Sequence, residues 1–296
     1  GHYNVAMGYR AQHGDVGLAN GSYNVSIGYE ANETLGTGSN NIAIGYETLT
    51  SATSGASNIA IGNYAINNMD AESHNLAIGY TALGGVIAGA EYNIAIGNEA
   101  LLDTTTGDFN VAIGYQASQQ NEGGEYNVAL GYNAHLNITG TSSNTLIGSN
   151  AGKGQSGSAG GHDNVVVGKG AYYNWTTGGQ NVLMGKDAGY KIRSGTGNVV
   201  LGYQSHSQNW ADGSYNTAVG YHAQSHINGG AKNISIGWTA GNNISTGDFN
   251  VVIGAADVSS ATGDSQLSIS SGDGGVTWLT GTSAGVINIP GSLTVA

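Results

Sequence analysis

Fifteen times the chain writes Asn, a three-residue segment, mostly apolar, and Gly, most often at a spacing of 17 residues. The series runs from Asn4–Gly8 through Asn41–Gly45, Asn110–Gly114 and Asn181–Gly185 to Asn250–Gly254. A unit this short cannot bury its apolar side alone, so it must stack on its neighbours. The chain therefore reads as an array of coils rather than a globular domain built around one pocket.

Within one unit, Ile42 and Ile44 share one face of a strand and Ala43 takes the other. Val111 and Ile113 repeat the pattern after Asn110. Branched residues of this kind favour strands. We expect these pairs to stack as a ladder inside the solenoid. Gly45, Gly114 and their equivalents mark a corner that needs positive φ or close backbone approach. A second short strand is expected after each corner, with Ala31, Ala65, Ala82 or Ala100 in its narrowest part. A polar loop such as Thr104–Asn110 then returns the chain to the next Asn. The leading Asn either caps its own turn or bonds its copies along the axis. At about 4.8 Å per coil, the array would extend on the order of 70 Å.

The middle strand residue is small in early units, as in Ala43 and Ala112, and larger later, as in Leu183 and Val200. An apolar second face asks to be buried too. Other copies of the chain, under closed cyclic symmetry, are the simplest cover.

Charge narrows the choice of partner. Seven Lys and Arg face 19 Asp and Glu, a formal charge of −12, so no broad basic surface exists for nucleic acid or an anionic membrane. No apolar stretch is long enough to span a bilayer. Cysteine is absent. The chain opens inside a repeat, as a fragment of a longer protein would.

Two rows of aromatic residues keep the rhythm. One follows the corner glycine (Tyr9, Tyr29, Tyr46, Tyr115, Tyr132) and the other precedes the Asn (Tyr3, Tyr23, Tyr92, Phe109, Tyr126). They suit either chain-to-chain seams or the apolar faces of sugars. Asn63, Asn98, Lys169 and Lys186 interrupt the first row, which argues that it is partly exposed. Tyr172, Tyr173, Trp175, Trp210 and the neighbouring His206 break the rhythm. Aromatic residues not demanded by the coil are candidates for ligand contact in exposed loops. Two units are lengthened by three residues, around His13–Val16 and Lys153–Gly161.

The repetitive part covers residues 1–257. Residues 258–296 read as a small β-rich cap or connector, with strand-like pieces at 266–269, 276–279 and 286–289 and a further one at 293–295. The sequence offers no nucleophile motif, no metal-ligand spacing among its eight His and no cofactor signature. Catalysis, a metal and a cofactor are therefore not expected.

Asn24-Val25-Ser26-Ile27-Gly28, Asn41-Ile42-Ala43-Ile44-Gly45 and Asn110-Val111-Ala112-Ile113-Gly114 resemble the head repeats of trimeric autotransporter adhesins. The 17-residue form with its trailing Tyr and Ala is similar to repeats of bacteriophage tail fibres and related bacterial fibres. The resemblance implies an all-β fold, a homotrimer of left-handed parallel β-rolls (β-solenoids), and a role in attachment outside the cell or on a virion. The implied partner is a cell-surface glycan or a surface protein of a target cell. A shaft or spacer, with recognition by another domain, is the alternative. The shared motif is scaffold, so it carries no ligand residues with it.

Overall fold

The computed structural model describes residues 1–14, 21–34, 36–209 and 212–290. The chain is an all-β parallel solenoid whose successive coils mostly bond at a separation of 17 residues. It divides into two compact units, Gly1–Asn150 and Ala151–Ala296. None of the described residues forms a helix long and apolar enough to cross a membrane.

The first unit carries β1 (Val5–Met7), β2 (Val25–Ile27), β3 (Ile42–Ile44), β4 (Ile59–Ile61), β5 (Leu76–Ile78), β6 (Ile94–Ile96), β7 (Val111–Ile113), β8 (Val128–Leu130) and β9 (Thr145–Ile147). Each pairs in parallel with the next and in strict register, for example Val111 beside Val128. The second unit carries β10 (Val165–Val167), β11 (Val182–Met184), β12 (Val199–Leu201), β13 (Thr217–Val219), β14 (Ile234–Ile236), β15 (Val251–Ile253) and β16 (Leu267–Ser270), paired likewise. Two antiparallel strands, β17 (Thr277–Gly281) and β18 (Ile287–Asn288), follow. The strand piece expected at 293–295 lies outside the described residues.

The array thus runs one coil beyond the fifteen Asn–Gly units. Gln266 takes the place of Asn, and both its backbone and its amide donate to Asn250 Oδ1, at 2.8 and 3.2 Å. Residue 266 therefore continues the ladder.

The expected ladder of Asn side chains is present. In β7 and β8, Asn127 N–H donates to Asn110 Oδ1 at 3.0 Å, and Asn110 Nδ2 donates to Gly124 O at 2.7 Å. Asn41 and Asn110 are fully buried, so each bond replaces water that the site excludes. A second ladder lies two residues before the Asn. Ser39 and Ser142 hydroxyls and Asp108 and Asp248 carboxylates accept backbone N–H groups from the preceding coil at 2.7–3.1 Å. This accounts for the Asp of the Thr-Gly-Asp triplets at 106–108, 246–248 and 262–264.

The corner glycines satisfy both requirements at once. Gly114 has φ +138°, and a Cβ added there would lie 2.5 Å from the Gly131 carbonyl oxygen of the next coil.

Two expectations are overturned. First, the coil is turned inside out relative to the anticipated faces. Ala43 and Ala112 point inward and are wholly buried, while Ile42, Ile44, Val111 and Ile113 lie on the outer face, partly exposed. The cause is the width of the coil. The segment after the corner passes so close behind the strand that Asn32 Nδ2 lies 3.4 Å from Ser26 Oγ. That gap takes one small residue against one larger one, not two stacked isoleucines.

Second, the segment after the corner is not a strand. Gln116 and Ser118 have φ +52°, so the backbone is left-handed at every second residue. Such positions cost on the order of 1 kcal/mol each in a non-glycine residue. Here they direct N–H groups to both neighbouring coils, as Gln116 to Asn98 O and Ser118 to Ala134 O. The small residues expected in this narrow part, such as Ala65, Ala82 and Ala100, are indeed fully buried.

Candidate functional site

The outer strand face is an apolar surface that recurs from coil to coil. In β7 and its flanks, Phe109, Val111, Ile113 and Tyr115 are all partly exposed, and Tyr126, Val128, Leu130 and Tyr132 repeat them one coil on. Strand residues one and three share this face because side chains alternate. The aromatic rows flank it as stacked columns. His74, Tyr92, Phe109 and Tyr126 lie ring on ring at 4.7, 5.0 and 5.2 Å, with planes within 8°. On the other flank Tyr115 and Tyr132 stack at 5.5 Å. In the second unit, Tyr203 and Tyr221 stack at 5.3 Å. The partial exposure expected of these rows is present: Tyr80 and Tyr132 stand 49% and 53% exposed.

The residues singled out for breaking the rhythm scatter. Tyr172 and Trp175 are not in an exposed loop. Both are wholly buried, with rings stacked at 5.2 Å inside the coil. Trp175 Nε1 donates to Gly178 O at 2.8 Å, and Tyr172 OH accepts from Asn181 Nδ2 at 3.1 Å, joining the Asn ladder. Burial pushes the Tyr172 phenol up from its ordinary value. They occupy the fourth and seventh positions after the corner glycine, where Ile66 and Met69 sit in an earlier coil, also buried. Contrary to the exposed loop expected for them, the surroundings of Tyr172 and Trp175 are core.

His206 takes the same fourth position. It is buried, neither ring nitrogen has a hydrogen-bond partner, and burial pulls its imidazole down to about 3. Trp210 lies outside the described residues. Tyr173 alone is at the surface, stacked on Tyr190 at 4.9 Å and 13°, with Lys153 Nζ 3.2 Å from its hydroxyl.

Beside that stack is a cleft of ≈ 500 Å³ lined by Asp187, Tyr190, Lys191, Gln204, Ser207 and Gln208. Lys191 Nζ donates to Gln208 O at 2.6 Å. Lys186 Nζ stands 3.8 Å from Asp187 Oδ2 and 5.2 Å from the centre of the Tyr203 ring. Burial, with the nearby Tyr173 and Asp187, raises the Tyr190 phenol. None of the cleft residues stands out in the sequence by motif or rhythm. The available signal was a clustering of cations, since five of the chain's seven lie at 153–193. Among the described residues no group of three or more His, Cys, Asp and Glu side chains is placed to hold a metal ion.

The sequence matches no known family model, and no curated protein is similar to it.

Proposed function

We propose that the chain is a segment of a homotrimeric attachment fibre. Three left-handed parallel β-rolls pack side by side, outside a cell or on a virion. The segment binds a cell-surface glycan or surface protein and catalyses no reaction. One observation carries the assembly: coil after coil, as in β7 and β8, leaves two branched apolar side chains and flanking rings partly exposed on the outer strand face. Contiguous apolar patches beyond a few hundred Å² mark interaction surfaces. Another array with the same coil spacing matches that face rung for rung, and a second copy supplies it. The aromatic columns at the borders of such a seam stay within reach of a ligand.

A shaft or spacer is favoured by the uniformity of β3–β7, whose middle residue is alanine every time. The two readings part in a cell-binding assay. The labelled full chain is applied to a panel of bacterial and eukaryotic cells, before and after enzymatic removal of surface glycans. Saturable binding that falls after glycan removal supports glycan attachment, and binding that resists it points to a protein receptor. Absence of binding across the panel would leave the shaft as the better reading.

A further inference from the structure

We propose that the cleft beside Tyr190 is a subsite for a saccharide that carries a carboxylate. This rests on the attachment reading above and names the ligand class.

The cleft exists because side-chain size changes abruptly along one column. Five residues after the corner glycine, successive coils carry Lys153, Tyr173, Tyr190, Ser207 and Ser225. Tyr173 covers one face of the Tyr190 ring, at 4.9 Å. Ser207 replaces a ring in the next coil, so the other face of Tyr190 borders the cleft of ≈ 500 Å³. That volume lies within the usual range for small-molecule sites.

The lining suits a sugar better than an apolar ligand. A pyranose has a C–H face that packs on an aromatic ring and an edge of hydroxyls that both donate and accept. Tyr190 offers the ring. Asp187 offers two acceptor oxygens, and the Gln204 and Gln208 amides each offer a donor and an acceptor. Ser207 Oγ donates to Gln204 O at 2.7 Å, which ties its own position to the cleft wall.

Charge selects among sugars. Residues 153–193 hold five basic side chains (Lys153, Lys169, Lys186, Lys191, Arg193) and two acidic ones (Asp163, Asp187), a net +3, of which the Arg193 charge is offset by Asp212 at 2.8 Å. The whole chain carries −12, so the remainder carries −15. A positive region inside a strongly acidic protein attracts an anion. Lys191 sets its ammonium on the cleft wall through Gln208 O, and Lys186 offsets the Asp187 charge that would repel an incoming carboxylate. A carboxylate on the sugar edge accepts a charge-assisted bond from Lys191 while the ring rests on Tyr190.

The test is an array of paired saccharides, each carboxylate-bearing glycan beside its carboxyl-reduced form, probed with the full chain. The expected result is retention of acidic members at least about tenfold above their reduced partners, the scale of one charge-assisted bond. Tyr190→Ala should abolish it. Lys191→Gln should erase the preference for the acidic member, and added salt should mimic that loss. Ser207→Tyr extends the ring column over the cleft and should block binding while leaving the thermal transition in place. Indifference to the carboxylate, binding unchanged by both Tyr190→Ala and Ser207→Tyr, or silence across the array would overturn the subsite. Silence on the array with intact cell binding would overturn the subsite alone. Loss of cell binding as well would remove the attachment reading with it.

Discussion

Coils of the two units fill the same cross-section in different ways. In the first unit the strand contributes Ala43, Ala60 or Ala77, and the facing column contributes Leu49, Ile66 or Leu83, all buried. In the second, Leu183 comes from the strand, and the facing position is Gly189. A Cβ on Gly189 would lie 2.1 Å from Leu183 Cδ2, so the two positions share one volume. Register and corner glycines fix the coil width, and side chains trade size within it. The first unit makes the same trade in every coil from β3 to β6. The second varies it, taking Tyr172 and Trp175 into one coil and His206 and Gln224 into two others.

Trp175→Ala should produce the largest loss, about 4 kcal/mol, because it removes the largest fully buried side chain among the described residues. Leu101→Ala in the first unit should cost about 3 kcal/mol. Urea unfolding measures both, and equal, negligible losses would place these side chains outside the core.

Corner and interior glycines should part next. Gly114→Ala meets backbone and should cost about 3 kcal/mol, beyond rescue by any side-chain truncation. Gly189→Ala meets the end of Leu183 and should cost about 2 kcal/mol. Leu183→Ala in the same chain should remove the clash with the new methyl, so the double variant should cost less than the sum of the two single changes. Lack of coupling between positions 183 and 189 would show that they do not share a volume.

The two buried histidines give a contrast of sign. His135 bonds the Ser118 hydroxyl at 2.8 Å and the Thr141 hydroxyl at 2.9 Å, whereas both nitrogens of His206 lack partners. His135→Leu should destabilise by about 2 kcal/mol by stranding those hydroxyls, and His206→Leu should stabilise by about 1 kcal/mol. The same sign from both would break the contrast.

Acid should act on both. Burial lowers His135 to about 4 and His206 to about 3, from an ordinary 6.5. Between those values the unfolded chain binds the extra proton. Stability is therefore full above pH 6.5 and falls as pH drops toward 4, by about 1.4 kcal/mol per pH unit for each histidine. Replacing either histidine by Leu should remove its share of the slope in urea midpoints taken from pH 7 to 4. An unchanged slope would mean that the imidazole is not buried neutral.

Much of the scaffold was legible because backbone needs were written into Asn and Gly. The Asn ladder and the corner could be read from spacing alone. Which face of the strand pointed inward could not. Alternation separates Ile42 and Ile44 from Ala43 but does not say which side is narrow. That depends on the left-handed turns behind the strand, which carry residues as ordinary as Glu47 and Leu49. The extra coil was legible only as a strand at 266–269, because Gln266 replaces Asn and Ser270 replaces Gly. Tyr172 and Trp175 looked irregular as aromatics, yet their positions are regular interior ones. The cleft at Tyr190 escaped because it is made by an absence of bulk at Ser207 beside residues that repeat nothing.

The outer apolar face is the point on which the assembly turns. Sedimentation equilibrium on the full chain and on Ile96→Asp/Ile113→Asp tests it directly, because both positions lie on that face and outside the coil interior. The wild-type chain should sediment at three times its 29.8 kDa mass, and the charged variant as a folded single chain. A wild-type chain that remains folded and monomeric at micromolar concentration, or a variant that still assembles, would contradict the seam.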